Sequence, residues 1–175
     1  MTKKDELFLN NFHIPRWSEL PNIDLYLDQV VTLINSCLSP YIFLNDDYKK
    51  NENELLTKTM INNYVKNNLI AAPVKKQYSK KHLARLFVIC VLKQVYSMQD
   101  ISNLINITLK DSNSEDAYNN FCDLFEEALI CTYTKKDFID KHPVSNISYL
   151  LKTVLLSCSY KIYVQNTTHV SKEEN

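Results

Sequence analysis

The chain has 175 residues, with 20 basic and 20 acidic side chains and 45% apolar content, which suits one globular unit that needs no staple. Glycine is absent, which argues against a β-rich fold and excludes glycine-built phosphate loops. Overall neutrality hides an asymmetry: residues 55–99 hold eight bases (Lys58, Lys66, Lys75, Lys76, Lys80, Lys81, Arg85, Lys93) and no acid, leaving the other 130 residues at −8. Such a segment is an electrostatic footprint for a polyanion.

Residues 1–21 are expected to form an arm, because Pro15 and Pro21 interrupt any continuous helix. Trp17, the only tryptophan, is expected to pin that arm to the core. Asn22 stands as the cap of a helix over 22–38, whose apolar face includes Leu25, Val30, Val31 and Ile34, with Pro40 after its end. Residues 41–54 are polar and acidic and suggest a loop or a short irregular helix. Thr57 caps a helix predicted over 58–67. Met60, Ile61, Tyr64 and Val65 face inward, and Thr59, Asn62, Asn63 and Lys66 form one exposed stripe.

Asn68 is suited to the left-handed position that ends this helix. Residues 71–78 are extended around Pro73, as a short two-stranded wing or a loop, with Lys75 and Lys76 exposed. Ser79 caps a helix over 80–96 that changes from basic to apolar on nearly all sides at Leu86, the mark of a central core helix. Ser97 and Asp100 have capping-box spacing and open a helix over 98–105. A linker leads to a helix over 114–133 with the stripe Tyr118, Phe121, Cys122, Phe125, Ala128 and Leu129. Residues 134–146 connect it to a last helix over 146–164. The stripe of that helix, from Ile147 through Leu155 to Ile162, suits a partner helix or a second subunit. The tail from Gln165 is polar and expected to fray.

Chemistry-bearing groups are scattered. Cys37, Cys90, Cys122, Cys131 and Cys158 form no C-x-x-C pair; their odd number and the lack of an apolar signal sequence predict reduced thiols in a cytoplasm. A thiolate metal sensor is the alternative for Cys122, Cys131 and Cys158, but two of these lie on apolar helix stripes, where a thiol behaves as a small hydrophobe. His13, His82, His142 and His169 have no metal-ligand spacing. Glu126-Glu127 and Asp46-Asp47 are adjacent and do not share a helix face, and Asp137 and Asp140 fall in a predicted connection. No nucleophile has a recognisable base, so neither an enzyme nor a cofactor is expected. The longest apolar run, Leu86–Leu92, is too short for a membrane span.

The segment Thr59-Met60-Ile61-Asn62-Asn63-Tyr64-Val65-Lys66-Asn67-Asn68-Leu69-Ile70, followed by Pro73, Tyr78-Ser79, Leu83, Leu86, Ile89, Leu92 and Ser97-Met98-Gln99-Asp100-Ile101, resembles the DNA-binding half of MerR-type regulators. Tyr64 matches that family's recognition helix, whereas Asn62 and Asn63 stand where it has Arg-Tyr and Asn68 where it has glycine. The blocks Pro15-Arg16-Trp17, Leu20-Pro21, Leu25–Val30, Met60–Lys66 and Lys76–Ser79 look like those of a small bacterial family classed as a domain of unknown function. The fold expected is all-α: an arm over 1–21, a MerR-like helix-turn-helix domain with a short or vestigial wing over 22–105, and a C-terminal helical pair over 106–175. The function implied is transcriptional regulation by a homodimer, paired through the C-terminal helices, on double-stranded DNA. Thr59, Asn62 and Asn63 would read bases. Lys58, Tyr64, Lys66, Lys75, Lys76, Tyr78, Lys80, Lys81 and Arg85 would contact phosphates. The second reading is a protein-interaction module on the same fold, whose basic face meets an acidic partner.

Overall fold

The structure is a computed structural model and describes residues 1–42, 54–110, 112–138 and 145–170. It is all-α, with one minimal ribbon. In chain order the elements are α1 (Lys3–Asn11), β1 (Leu25–Tyr26), α2 (Leu27–Leu38), α3 (Lys58–Lys66), β2 (Gln77–Tyr78), α4 (Lys80–Leu92), α5 (Met98–Thr108), α6 (Ser114–Thr134) and α7 (Asn146–Val170). The predicted loop over 41–54 lies largely outside the described residues, as does the His142-Pro143 part of the last connection. No helix among the described residues is long and apolar enough to cross a membrane.

Local chemistry sets the boundaries. Thr57 accepts the Met60 amide at 3.2 Å to open α3, and Ser97 accepts the Asp100 amide at 3.2 Å to open α5. Helix α2 begins at Leu27 instead of near Asn22, because Leu25 and Tyr26 are drawn out as β1, antiparallel to β2, with Leu25 opposite Tyr78. Gln29 then serves the start of α2 by accepting the Tyr26 amide at 2.9 Å. Other boundaries differ too, and α4 ends at Leu92 instead of near residue 96. The arm contains α1, opened by a capping box between Thr2 and Asp5. Helix α5 runs on to Thr108, and α7 continues through the tail expected to fray, to Val170.

Helix α4 is the centre of the core: Leu83, Leu86, Phe87, Ile89, Cys90 and Val91 are fully buried. Val154, Leu155, Cys158 and Ile162 of α7 are buried as well, so the stripe offered for a partner helix is used within the chain. Hydroxyls tie α7 to its neighbours, with Thr132 and Ser159 at 2.7 Å, Tyr96 and Ser157 at 2.7 Å, and Asn166 donating to the Tyr133 oxygen at 2.8 Å. Cys90, Cys122 and Cys158 are core thiols, and burial pushes them up to about 11, 12 and 12.

The arm is clamped to α6 by polar contacts around Arg16. Its guanidinium donates to both Glu126 oxygens at 2.8 and 2.6 Å, to Asp123 at 3.0 Å and to the Ile14 carbonyl at 2.7 Å. The Ile14 amide adds a bond to Glu126 at 2.9 Å, Trp17 donates its amide to Asn119 at 2.8 Å, and Tyr118 donates its hydroxyl to the Pro15 carbonyl at 2.8 Å. Trp17 packs edge-on against Tyr118, which is the anchoring role expected of it.

Candidate nucleic-acid interface

The long connection between α2 and α3 is closed by side chains. Asn35 of α2 accepts the Leu56 amide at 2.9 Å and donates to the Leu56 carbonyl at 2.8 Å. Lys93, just past α4, donates to the Leu55 carbonyl and lies 3.7 Å from the Met60 sulfur. Burial lowers the affinity of that amine for its proton. Lys93 is therefore a structural lysine that fixes where α3 starts.

Helix α3 rests on Ile61 and Tyr64, both buried. Thr59, Asn62, Asn63 and Lys66 are exposed, as the stripe predicts. The side chains of Asn62 and Asn63 make no hydrogen bond to protein among the described residues, so their amides face outward into solvent. Helix α3 ends in a Schellman motif: the Leu69 amide reaches the Tyr64 carbonyl at 2.8 Å, and the Asn68 amide reaches that of Val65 at 3.0 Å. Asn68 takes the left-handed position, φ 55°, that glycine usually fills.

The wing is real and very small. Val74 and Gln77 exchange both backbone bonds, at 3.1 and 2.9 Å, around a two-residue turn formed by Lys75 and Lys76. Both lysines have positive φ, 49° and 64°, the pattern of a type I′ hairpin turn. Asn-Gly is the favoured pair for this turn; two lysines are held there against a steric cost of about 1 kcal/mol or more each. Both are exposed.

Past the wing, Ser79 opens α4. His82 reaches back to accept the Ser79 amide on Nδ1 at 3.0 Å, which leaves its proton on Nε2. Lys80 donates to Asn22 at 2.7 Å and sits over the Trp17 ring at 5.9 Å. Lys58 pairs with Asp28 on α2. Lys66, Lys75, Lys76 and Lys81 are exposed and have no acidic partner among the described residues. These four are the cations most open to a phosphate.

Three of the expected phosphate contacts are more enclosed than the lysines. Tyr64 and Tyr78 are core residues, 8% and 3% exposed, and their hydroxyls are pushed up by burial. Arg85 lies one turn further into α4 than Lys81, and its Nε is buried without a hydrogen-bond partner among the described residues. It lines an internal cavity. Sequence periodicity does place Tyr64 on the inward face, while the inward turn of Arg85 comes from tertiary packing. Among the described residues no group of three or more His, Cys, Asp or Glu is placed to hold a metal ion.

A family model described as "Domain of unknown function (DUF1836)" matches residues 15–127, more than half of the chain. No curated protein and no solved structure matches the chain.

Proposed function

The chain belongs to the DUF1836 family, which is described without an activity, and on that premise we propose that it is a DNA-binding transcriptional regulator. Helix α3 enters the major groove, with Asn62 and Asn63 reading adenine edges and Thr59 a thymine methyl. Lys58, Lys66, Lys75, Lys76, Lys80 and Lys81 contact phosphates. The observation that carries the reading is the wing turn, in which two exposed lysines occupy left-handed positions close in sequence to a helix with an exposed polar stripe. Strain of this kind concentrates at functional sites. The order α3, hairpin, α4, α5 is also the order on which the resemblance to MerR-type regulators rests. A nine-residue helix is about 13 Å long, of the scale of the groove. The reading assigns no catalytic chemistry. It includes a homodimer, because two-fold operators require two-fold proteins.

Fluorescence anisotropy with a random duplex tests it. Six phosphate contacts per protomer give a salt slope near −5.4, a loss of roughly 2,000-fold between about 50 and 200 mM salt. On a selected site, Asn62→Ala is expected to relax base preference, and Lys81→Ala to weaken all sequences alike. A folded protein with no affinity for duplex DNA at about 50 mM salt would sink the reading in favour of an acidic protein partner.

A further inference from the structure

A cavity of about 280 Å³ lies between α4, α5, α6 and α7, with Trp17 of the arm as part of its wall. Most of its lining is apolar, including Val88, Leu104, Phe121 and Leu155. Among the described residues no Asp or Glu lines it. Two donors do: Nε2 of His82 and Nε of Arg85 are both buried and lack a hydrogen-bond partner among the described residues. The bond from Ser79 to Nδ1 makes His82 a donor on the cavity side. A buried guanidinium Nε–H and a buried imidazole N–H left unsatisfied are costly, and native proteins leave few such groups without a partner. Two donors three residues apart on α4, in a mostly apolar wall, one of them cationic, make the pattern of a ligand site, with the polar groups fixing orientation and the apolar wall supplying affinity. Ala71, Lys81 and Leu109 line the same cavity and are exposed, so it opens to solvent beside them.

We infer that this cavity binds a small amphipathic carboxylate, its two oxygens held by Arg85 and His82 and its apolar body lying against α5, α6 and α7. Arg85 supplies a partly buried cation for the anionic head, with the exposed Lys81 also in the wall. Guanidinium and carboxylate also match in geometry, since each presents two parallel contacts. At about 30 Å³ per water-sized group the volume admits roughly nine or ten non-hydrogen atoms, the size of an eight-carbon acid. This site goes beyond the DNA reading and does not depend on it.

Octanoate and octanol are the probes, titrated into the full chain without DNA. Calorimetry measures affinity, and the emission of Trp17, the only tryptophan, reports on the cavity wall. Octanoate is expected to saturate at one per chain and to bind at least tenfold more tightly than octanol. Arg85→Met is expected to lower octanoate to the level of octanol and to leave octanol unchanged. Ala117→Leu, which narrows the cavity, is expected to weaken both and to abolish the change in Trp17 emission. Equal affinity for acid and alcohol in the unmodified protein overturns the inference whatever the variants do. Unsaturable octanoate binding, or octanoate affinity that survives Arg85→Met, does the same.

Discussion

A lysine at positive φ gives up stability that glycine would not, and Lys75 and Lys76 do so side by side with like charges adjacent. With Asn68 and Lys135 they occupy left-handed positions in a chain that has no glycine to place there. Replacing the turn by Asn-Gly, as Lys75→Asn with Lys76→Gly, is expected to stabilise the fold by about 1 kcal/mol in urea denaturation. The same variant is expected to weaken duplex DNA binding about tenfold. A turn that gained stability and kept full affinity for DNA would leave the two lysines without the role proposed here. The left-handed Asn68 is legible in the sequence, because asparagine after a helix is the ordinary substitute for glycine. The lysine turn is not, since lysine has no preference for that conformation and only the paired strands on either side enforce it.

At the scale of elements, the arm and α6 form the joint that depends most on single residues. Arg16 and Glu126 are each about one-fifth exposed and meet through two parallel hydrogen bonds. Arg16→Met leaves Glu126 half-buried and short of its main partner, and is expected to cost about 3 kcal/mol in urea unfolding at neutral pH. Burial pushes the Glu126 carboxyl up, but the bonds from Arg16 and the Ile14 amide outweigh it and hold the group below its ordinary value. The folded chain therefore binds fewer protons than the unfolded chain on the acid side. The stabilisation is complete above the ordinary carboxylate value and is lost as pH falls through the lowered one. The difference between the parent and Arg16→Met is expected to shrink as pH falls below the ordinary carboxylate value; a constant difference through that fall would remove Glu126 as the partner that matters. Helix periodicity gave α3 to α7 almost in full, because each has caps and an apolar stripe within a short window. It gave nothing of this clamp, whose partners lie 110 residues apart. The arm's own helix α1 is short and ends before Pro15, with only Phe8 and Leu9 packed against the core, so the prolines that follow dominate the reading of the arm.

For the molecule as a whole, the surface of α7 decides whether a two-fold complex is reachable. The inward stripe of α7 is used against the core, but Tyr149, Tyr160 and Val164 lie along one face of the same helix and are 61%, 55% and 54% exposed. If these side chains form the proposed dimer contact, sedimentation at micromolar concentration is expected to give two chains, and Tyr160→Glu one chain with unchanged helix content. A Tyr160→Glu protein that still sediments as a pair would place the contact elsewhere. The cavity donors show the same limit of sequence reading as the clamp: the change from basic to apolar along α4 is visible, but not that Arg85 falls on its inward side, which requires α5, α6 and α7 in place. The family match, residues 15–127, begins and ends beside Arg16 and Glu126, so the clamp closes the matched unit almost end to end. This bears on how the chain is made. Arg16 leaves the ribosome long before Glu126, and at about 5–20 residues per second the interval is roughly 5–20 s. For that time the arm has no docking site, and its guanidinium waits in solvent. The arm is thus expected to be the last part of the unit to lock down on a growing chain, and release of α6 from the exit tunnel is the event that permits it.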